Sequence, residues 1–168
     1  MTNCYLLIKG VVGTSTVKKD AIEISSFSWG AHNAAASAKA SGESRAGRPD
    51  FSEMSIMKNV DPTSHTLLKH CLVCEAFTEA TLGFMKQIGT ANEEYFHIIM
   101  KGVYISSLQI SSGGENPTES VSIAYEEIEF GYNPEKPDKK GLAGFIAMKY
   151  SIKENKPLYH GSSCIPTH

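Results

Sequence analysis

The chain has 168 residues, 41% hydrophobic and 20% charged, which suits one globular domain with a core of its own. Sixteen basic and 18 acidic residues leave a formal charge of −2, without the basic footprint that a nucleic-acid partner requires. No stretch approaches the ~18 apolar residues of a membrane helix, so membrane insertion is not expected.

Residues 4–12 read as a first strand, closed by Gly13. Residues 20–30 read as a second, with Ile22 and Ile24 on one face and Phe27 and Trp29 on the other. That change of face predicts a bulge or strong twist near Ser25–Ser26. Residues 31–49 contain no Val, Ile, Leu, Phe, Tyr or Trp. A loop this long and coreless reads either as a floppy insertion or as a binding loop ordered against a partner. Residues 51–58 alternate again as a strand. Asp61-Pro62 predicts a helix start, with Asp as N-cap and Pro at the first helical position. Leu67, Leu68, Cys71, Leu72 and Ala76 then form an apolar face at helical spacing, so the helix is expected over about 62–76.

Thr81–Lys86 reads as a short strand, residues 94–111 as a long one ended by Gly113-Gly114. Residues 118–132 form another. Its apolar parity switches after Glu126-Glu127, which predicts a second bulge. Pro134 and Pro137 break the chain, and residues 144–153 read as the last strand. The organisation is thus a β-rich domain over 1–153 and a short polar tail over 154–168, expected to be frayed. The predicted fold class is mainly β: a small barrel of two packed sheets with one flanking helix and the extended loop 31–49.

Motifs for chemistry are few. Cys71-Leu-Val-Cys74 is a CxxC, but no second pair supplies zinc ligands. It falls late in the predicted helix, and Cys71 reads as a core thiol. His65 and His70 are five apart, the wrong spacing for one helical face. His97 has no acidic neighbour two residues away. In Glu126-Glu127-Ile128-Glu129 only Glu127 and Glu129 share a side, which reads as a solvated face. No catalytic, metal-binding or cofactor-binding residue is assigned. No basic leader precedes Cys4, and the first apolar run is too short for a signal peptide. The expectation is a cytoplasmically made chain with its cysteines as thiols, and export by a route that reads no N-terminal signal stays open.

The order of these features resembles the Hcp (haemolysin-coregulated protein) family, the tube subunit of bacterial type VI secretion systems. The matching features are the strand ending Phe27-Ser28-Trp29-Gly30, the small-residue loop, and the strand Phe51–Lys58 with Asp61 and its leucine- and cysteine-rich helix. They continue through Ile98–Ser111 with Gly-Gly and through Glu119–Tyr132 with Asn133-Pro134. The resemblance implies hexameric rings that stack into a hollow tube, exported with a spike protein by a contractile sheath. The lumen is then expected to hold small effector proteins, and the protein to act in the medium or a target cell. The loop would supply ring contacts through His32, Asn33, Lys39, Glu43, Arg45 and Arg48. Ser26 and Ser28, opposite Phe27 and Trp29, would face the lumen. The alternative reading is a monomeric barrel that binds a small ligand in its interior.

Overall fold

The computed structural model describes residues 3–36, 41–42, 48–138 and 141–158. In chain order its elements are β1 (Cys4–Ile8), β2 (Ile22–Glu23), β3 (Ser26–Ser28), β4 (Ala31–Asn33), β5 (Pro49–Phe51), β6 (Met54–Asn59) and α1 (Ser64–Val73). Then come β7 (Phe77–Ile88), β8 (Ala91–Ser111), β9 (Thr118–Ala124), β10 (Glu127–Tyr132), β11 (Ile146–Ser151) and β12 (Lys156–Leu158). Sheet A runs β12-β11-β10-β8-β7-β1-β2, and sheet B runs β3-β6-β9-β8, antiparallel throughout. The 21-residue β8 belongs to both.

Two packed sheets were expected, and two are found, but they do not close into a barrel. At each predicted change of face the chain leaves one sheet for the other. Ile24 and Ser25 carry β2 of sheet A into β3 of sheet B, with Ser25 N–H still bonded to Met57 O at 2.8 Å. Tyr125 and Glu126 carry β9 of sheet B into β10 of sheet A, and Glu126 N–H bonds to Lys101 O at 3.0 Å. A residue that crosses between sheets swaps its inward side, and the sequence records that as a broken alternation. β8 makes the same passage at Gly102, whose φ of +61° admits glycine with least strain.

Between the sheets lies one core, with Leu6, Ile8, Ile22 and Leu82 from one side and Met54, Ile56, Val121 and Ile123 from the other. Phe27, Trp29 and Phe51 pack against it, so the aromatics of the second predicted strand do fill the interior.

The helix is shorter than expected, Ser64–Val73 rather than 62–76. Asp61 does not cap it. Its Oδ1 accepts from Thr63 N–H at 2.8 Å and Thr63 Oγ–H at 2.5 Å, and lies 3.0 Å from Lys58 Nζ. Burial raises the Asp61 carboxyl, but these bonds outweigh it and hold the group below the ordinary carboxylate value. At the other end Cys74 adopts a left-handed φ of 53° and stops the helix. Only Leu67 of the predicted apolar face is buried; Cys71 is partly so, and Leu68 and Leu72 are exposed. The segment predicted as a short strand at 81–86 is the twelve-residue β7. Within the expected tail, β12 pairs with β11.

Candidate functional site

Every strand alternates, so each sheet offers a face to the core and a face away from it. The outward face of sheet B is rich in serines. Register aligns Ser28, Ser55, Ser122 and Ser107 in one row across β3, β6, β9 and β8. The next row is Ser26, Met57, Ser120 and Gln109. Neither row holds a charge. Ser26 and Ser28 are exposed, and the structure sets four more serines beside them. Ser55, Ser120 and Ser122 were open to the same parity argument. Ser107 was not, because β8 shifts register between Ile105 and Ser107.

The ends of the loop 31–49 are ordered as a two-stranded arm, β4 on β5. His32 faces Asp50 across it at 3.6 Å, both exposed. The Asn33 carboxamide oxygen accepts from Ala35 N–H at 2.9 Å, and residues 34–36 are helical. Arg48 donates to Ile152 O at 3.4 Å, tying the base of the arm to the end of β11. Lys39, Glu43 and Arg45 lie outside the described residues. A groove of about 490 Å³ opens at the arm's base between Arg48, Phe51, Glu53 and Tyr125. Tyr125 is held there by Trp29, which donates to its oxygen, and by its own bond to Ser52 O at 2.7 Å. The groove lies beside the core, whereas the ligand-binding reading needs space inside it.

A third surface is apolar. On the core side of sheet A, register aligns Ile22, Leu6, Leu82, Ile98, Phe130 and Met148 across six strands. Burial falls along this row, from 0% exposed at Leu6 and Leu82 to 40% at Phe130 and 56% at Met148. The neighbouring row ends likewise in Tyr132 and Ile146, both exposed. Sheet A therefore outruns sheet B and leaves part of a core-like face uncovered.

The outward side of sheet A holds a chain of polar groups. Tyr5 O–H donates to Glu94 Oε2, and His97 Nδ1–H donates to Glu94 Oε1 at 2.8 Å. His97 Nε2 lies 3.7 Å from Glu129 Oε1, too far for a hydrogen bond, and Glu129 Oε2 pairs with Lys149 at 3.0 Å. Burial raises the Glu94 carboxyl, but the bonds from His97 and Tyr5 prevail and keep it below the ordinary value. An ionised Glu94 only accepts, so Nδ1 of His97 carries the proton. Burial, then Glu94, pushes the Tyr5 phenol up.

Glycines make room for this chain. Tyr5 and His97 lie in one register row with Gly83 and Gly131. A Cβ at Gly83 would sit 2.5 Å from the Tyr5 ring, and one at Gly131 would overlap His97 Nε2. Phe145 stacks on the His97 ring, centroids 4.2 Å apart.

This corrects two sequence expectations. His97 does have an acidic partner, because Tyr95 is a bulge: Met85 pairs with Glu94 and Phe84 with Phe96. The extra residue puts positions 94 and 97 on one face. Glu129 is no solvated carboxylate either, with a side chain 18% exposed. Among the described residues no group of three or more His, Cys, Asp or Glu could hold a metal ion. Cys4, Cys71 and Cys74 are free thiols, and burial pushes Cys4 up to about 12.

Comparison with known proteins places these faces in context. A family model described as "Type VI secretion system effector, Hcp" matches residues 5–132. The hcp1 protein of Pseudomonas aeruginosa is 29% identical over 105 residues, 61% of this chain and 65% of that protein, so the match spans just under two thirds of its length. A solved structure titled as a type six secretion system protein aligns with TM-score 0.83 and 26% identity, covering 94% of this chain and 100% of that one. Hcp1 from Salmonella typhimurium shares the fold, with TM-score 0.74, 21% identity and coverage of 94% and 100%.

Proposed function

Because the chain belongs to the Hcp family of type VI secretion tube proteins, a structural and secreted family, we propose that it acts by assembling: copies close into hexameric rings, and the rings stack into a hollow tube. The serine rows of sheet B carry this reading. A conduit needs a wall that offers passing proteins little to hold. Rows made mostly of small, uncharged hydroxyls provide one, since apart from Met57 they have little apolar area to bury and no charge to pair. Ser26, Ser28, Ser55, Ser107 and Ser122 then line the lumen, where small effector proteins ride. The arm, with His32, Asn33 and Arg48, reaches a neighbouring subunit. The tube is made in the bacterial cytoplasm and leaves with a spike protein, driven by a sheath.

Two measurements test this. Negative-stain images of the purified protein should show six-fold rings; a monomer at every concentration would refute the assembly. With Ser122→Cys, a bulky maleimide should label position 122, located by peptide mapping apart from the exposed Cys74, readily in the dissociated chain and poorly in stacked rings. Equal labelling in both states would turn the serine face away from the lumen.

A further inference from the structure

Among the described residues, two exposed apolar faces adjoin β8 on either side of Gly102. One is the overhang of sheet A, where Phe130, Tyr132, Ile146 and Met148 continue rows that begin in the core, beside Phe96 and Ile98 of β8. The other is the outer side of α1, with Leu68 at 38% and Leu72 at 77% exposed, next to the exposed Val73. The helix ends beside Phe77, which pairs with Val103, further along β8 and past the bend at Gly102.

We propose that these faces are the two halves of one head-to-tail contact, the overhang of each subunit receiving Leu68, Leu72 and Val73 of the next. The inference rests on the ring reading above and adds which surfaces meet. Three observations select a second copy as the occupant. The exposed ends of the rows are the same residue types as their buried beginnings, so the surface has the character of a domain core cut in half. That is the mark of a permanent interface, whereas transient partners meet on more polar ground. A permanent interface requires a partner present whenever the chain is made, and another copy meets that condition. Finally, a ring closes through two different patches on each subunit, and the overhang and the helix face are two different patches.

The test uses two variants of the full chain. Ile146→Asp with Met148→Asp charges the overhang; Leu72→Asp charges the helix face. All three positions are solvent-exposed, so circular dichroism and the melting temperature should stay near wild type. By analytical ultracentrifugation wild type should sediment as rings and each variant as a single chain. Mixed in equal amounts, the variants should form one-to-one dimers and no rings. The helix variant still has an intact overhang, the overhang variant an intact helix face, and only that pair of surfaces can meet.

A variant that still forms rings removes its face from the contact and leaves the ring reading intact. Two monomeric variants whose mixture stays monomeric overturn the pairing of the faces. A wild type that never assembles overturns both proposals together. A second measurement does not depend on charged substitutions: Met148→Cys should become linked to Cys74 of a neighbouring copy by a short bismaleimide, giving a ladder on a denaturing gel. With Cys164→Ser in both chains, the protein without the Met148→Cys change should give none, and a variant that forms rings without the ladder would refute the contact.

Discussion

Lys58 is the residue whose loss the fold should feel most sharply. It lies on β6 opposite Glu119 of β9, and both side chains are 0% exposed. Its ammonium meets Glu119 Oε2 at 2.8 Å, Asn59 O at 2.9 Å, Asp61 Oδ1 at 3.0 Å and Ser64 Oγ at 3.3 Å. Glu119 Oε1 already lacks a hydrogen-bond partner. Lys58→Met keeps the stem and removes the charge, so it leaves a buried carboxylate with no cation. Breaking a buried pair from one side costs about 3–5 kcal/mol, a large part of the ~5–15 kcal/mol that holds a domain together. Lys58→Met with Glu119→Met removes the fully buried pair, a replacement that is often neutral or stabilising by ~1–4 kcal/mol, and leaves the partly exposed Asp61 with its bonds from Thr63 alone. Urea unfolding followed by circular dichroism reads both. The single variant should lose about 3–5 kcal/mol and the double variant should recover the larger part of it. A single variant within ~1 kcal/mol of wild type, or a double variant no better than the single, would refute the reasoning.

The remaining predictions concern the polar chain, the thiols and acid. Gly131→Ala drives a methyl group into His97 and should destabilise by ~1–3 kcal/mol, whereas Gly113→Ala, with nothing within 4 Å, should cost little; thermal melts compare them. In the native protein a thiol reagent should label the exposed Cys74 quickly and leave the buried Cys4 untouched until the chain unfolds, as peptide mapping after labelling can show. Asp61 and Glu94 sit below their ordinary values, so their contribution is complete above about pH 4 to 5 and lost as the pH falls through the lowered values. Thr63→Val removes the hydroxyl donor to Asp61 and keeps the backbone N–H; its stability deficit should be widest near neutral pH and narrow on acidification, and a constant deficit would contradict the assignment.

What the sequence made legible follows from distance along the chain. The alternation of Ile22, Ile24, Phe27 and Trp29, and of Val121 to Tyr132, was local, and it marked both crossings between sheets. It could not say that the break was a crossing, since a bulge in a barrel and a step between sheets give the same parity slip. Glu94 and His97 were missed because a strand assumed regular puts them on opposite faces, and nothing in Glu94-Tyr95-Phe96-His97 announces the bulge. The Lys58–Glu119 pair joins residues 61 positions apart; it depends on the register of β6 and β9, which no local signal carries. The helix misled for another reason. Leu68 and Leu72 fit an apolar stripe by spacing, but a stripe predicts burial only if something covers it, and among the described residues nothing buries Leu68 or Leu72.

The two outward requirements of a tube subunit pull in opposite directions, and the unequal sheets reconcile them. A wall that lets proteins pass must not adhere, while a joint between subunits must. A single sheet face cannot do both, because burial free energy scales with apolar area whatever the occupant. Here β8 separates the tasks. Beyond Gly102 its outward residues Ser107 and Gln109 join the uncharged serine rows of sheet B. Before Gly102 its inward residues Phe96 and Ile98 lie in the rows that run out into Phe130, Tyr132 and Met148. The bend at one glycine thus turns a single strand from a surface that stays wet to one that must be covered. Side chains of Leu, Phe or Met size are worth ~1.5–3 kcal/mol each on full burial. In the proposed contact, four half-exposed ones at the overhang would be met by three on a neighbour's helix, and assembly would cover that area.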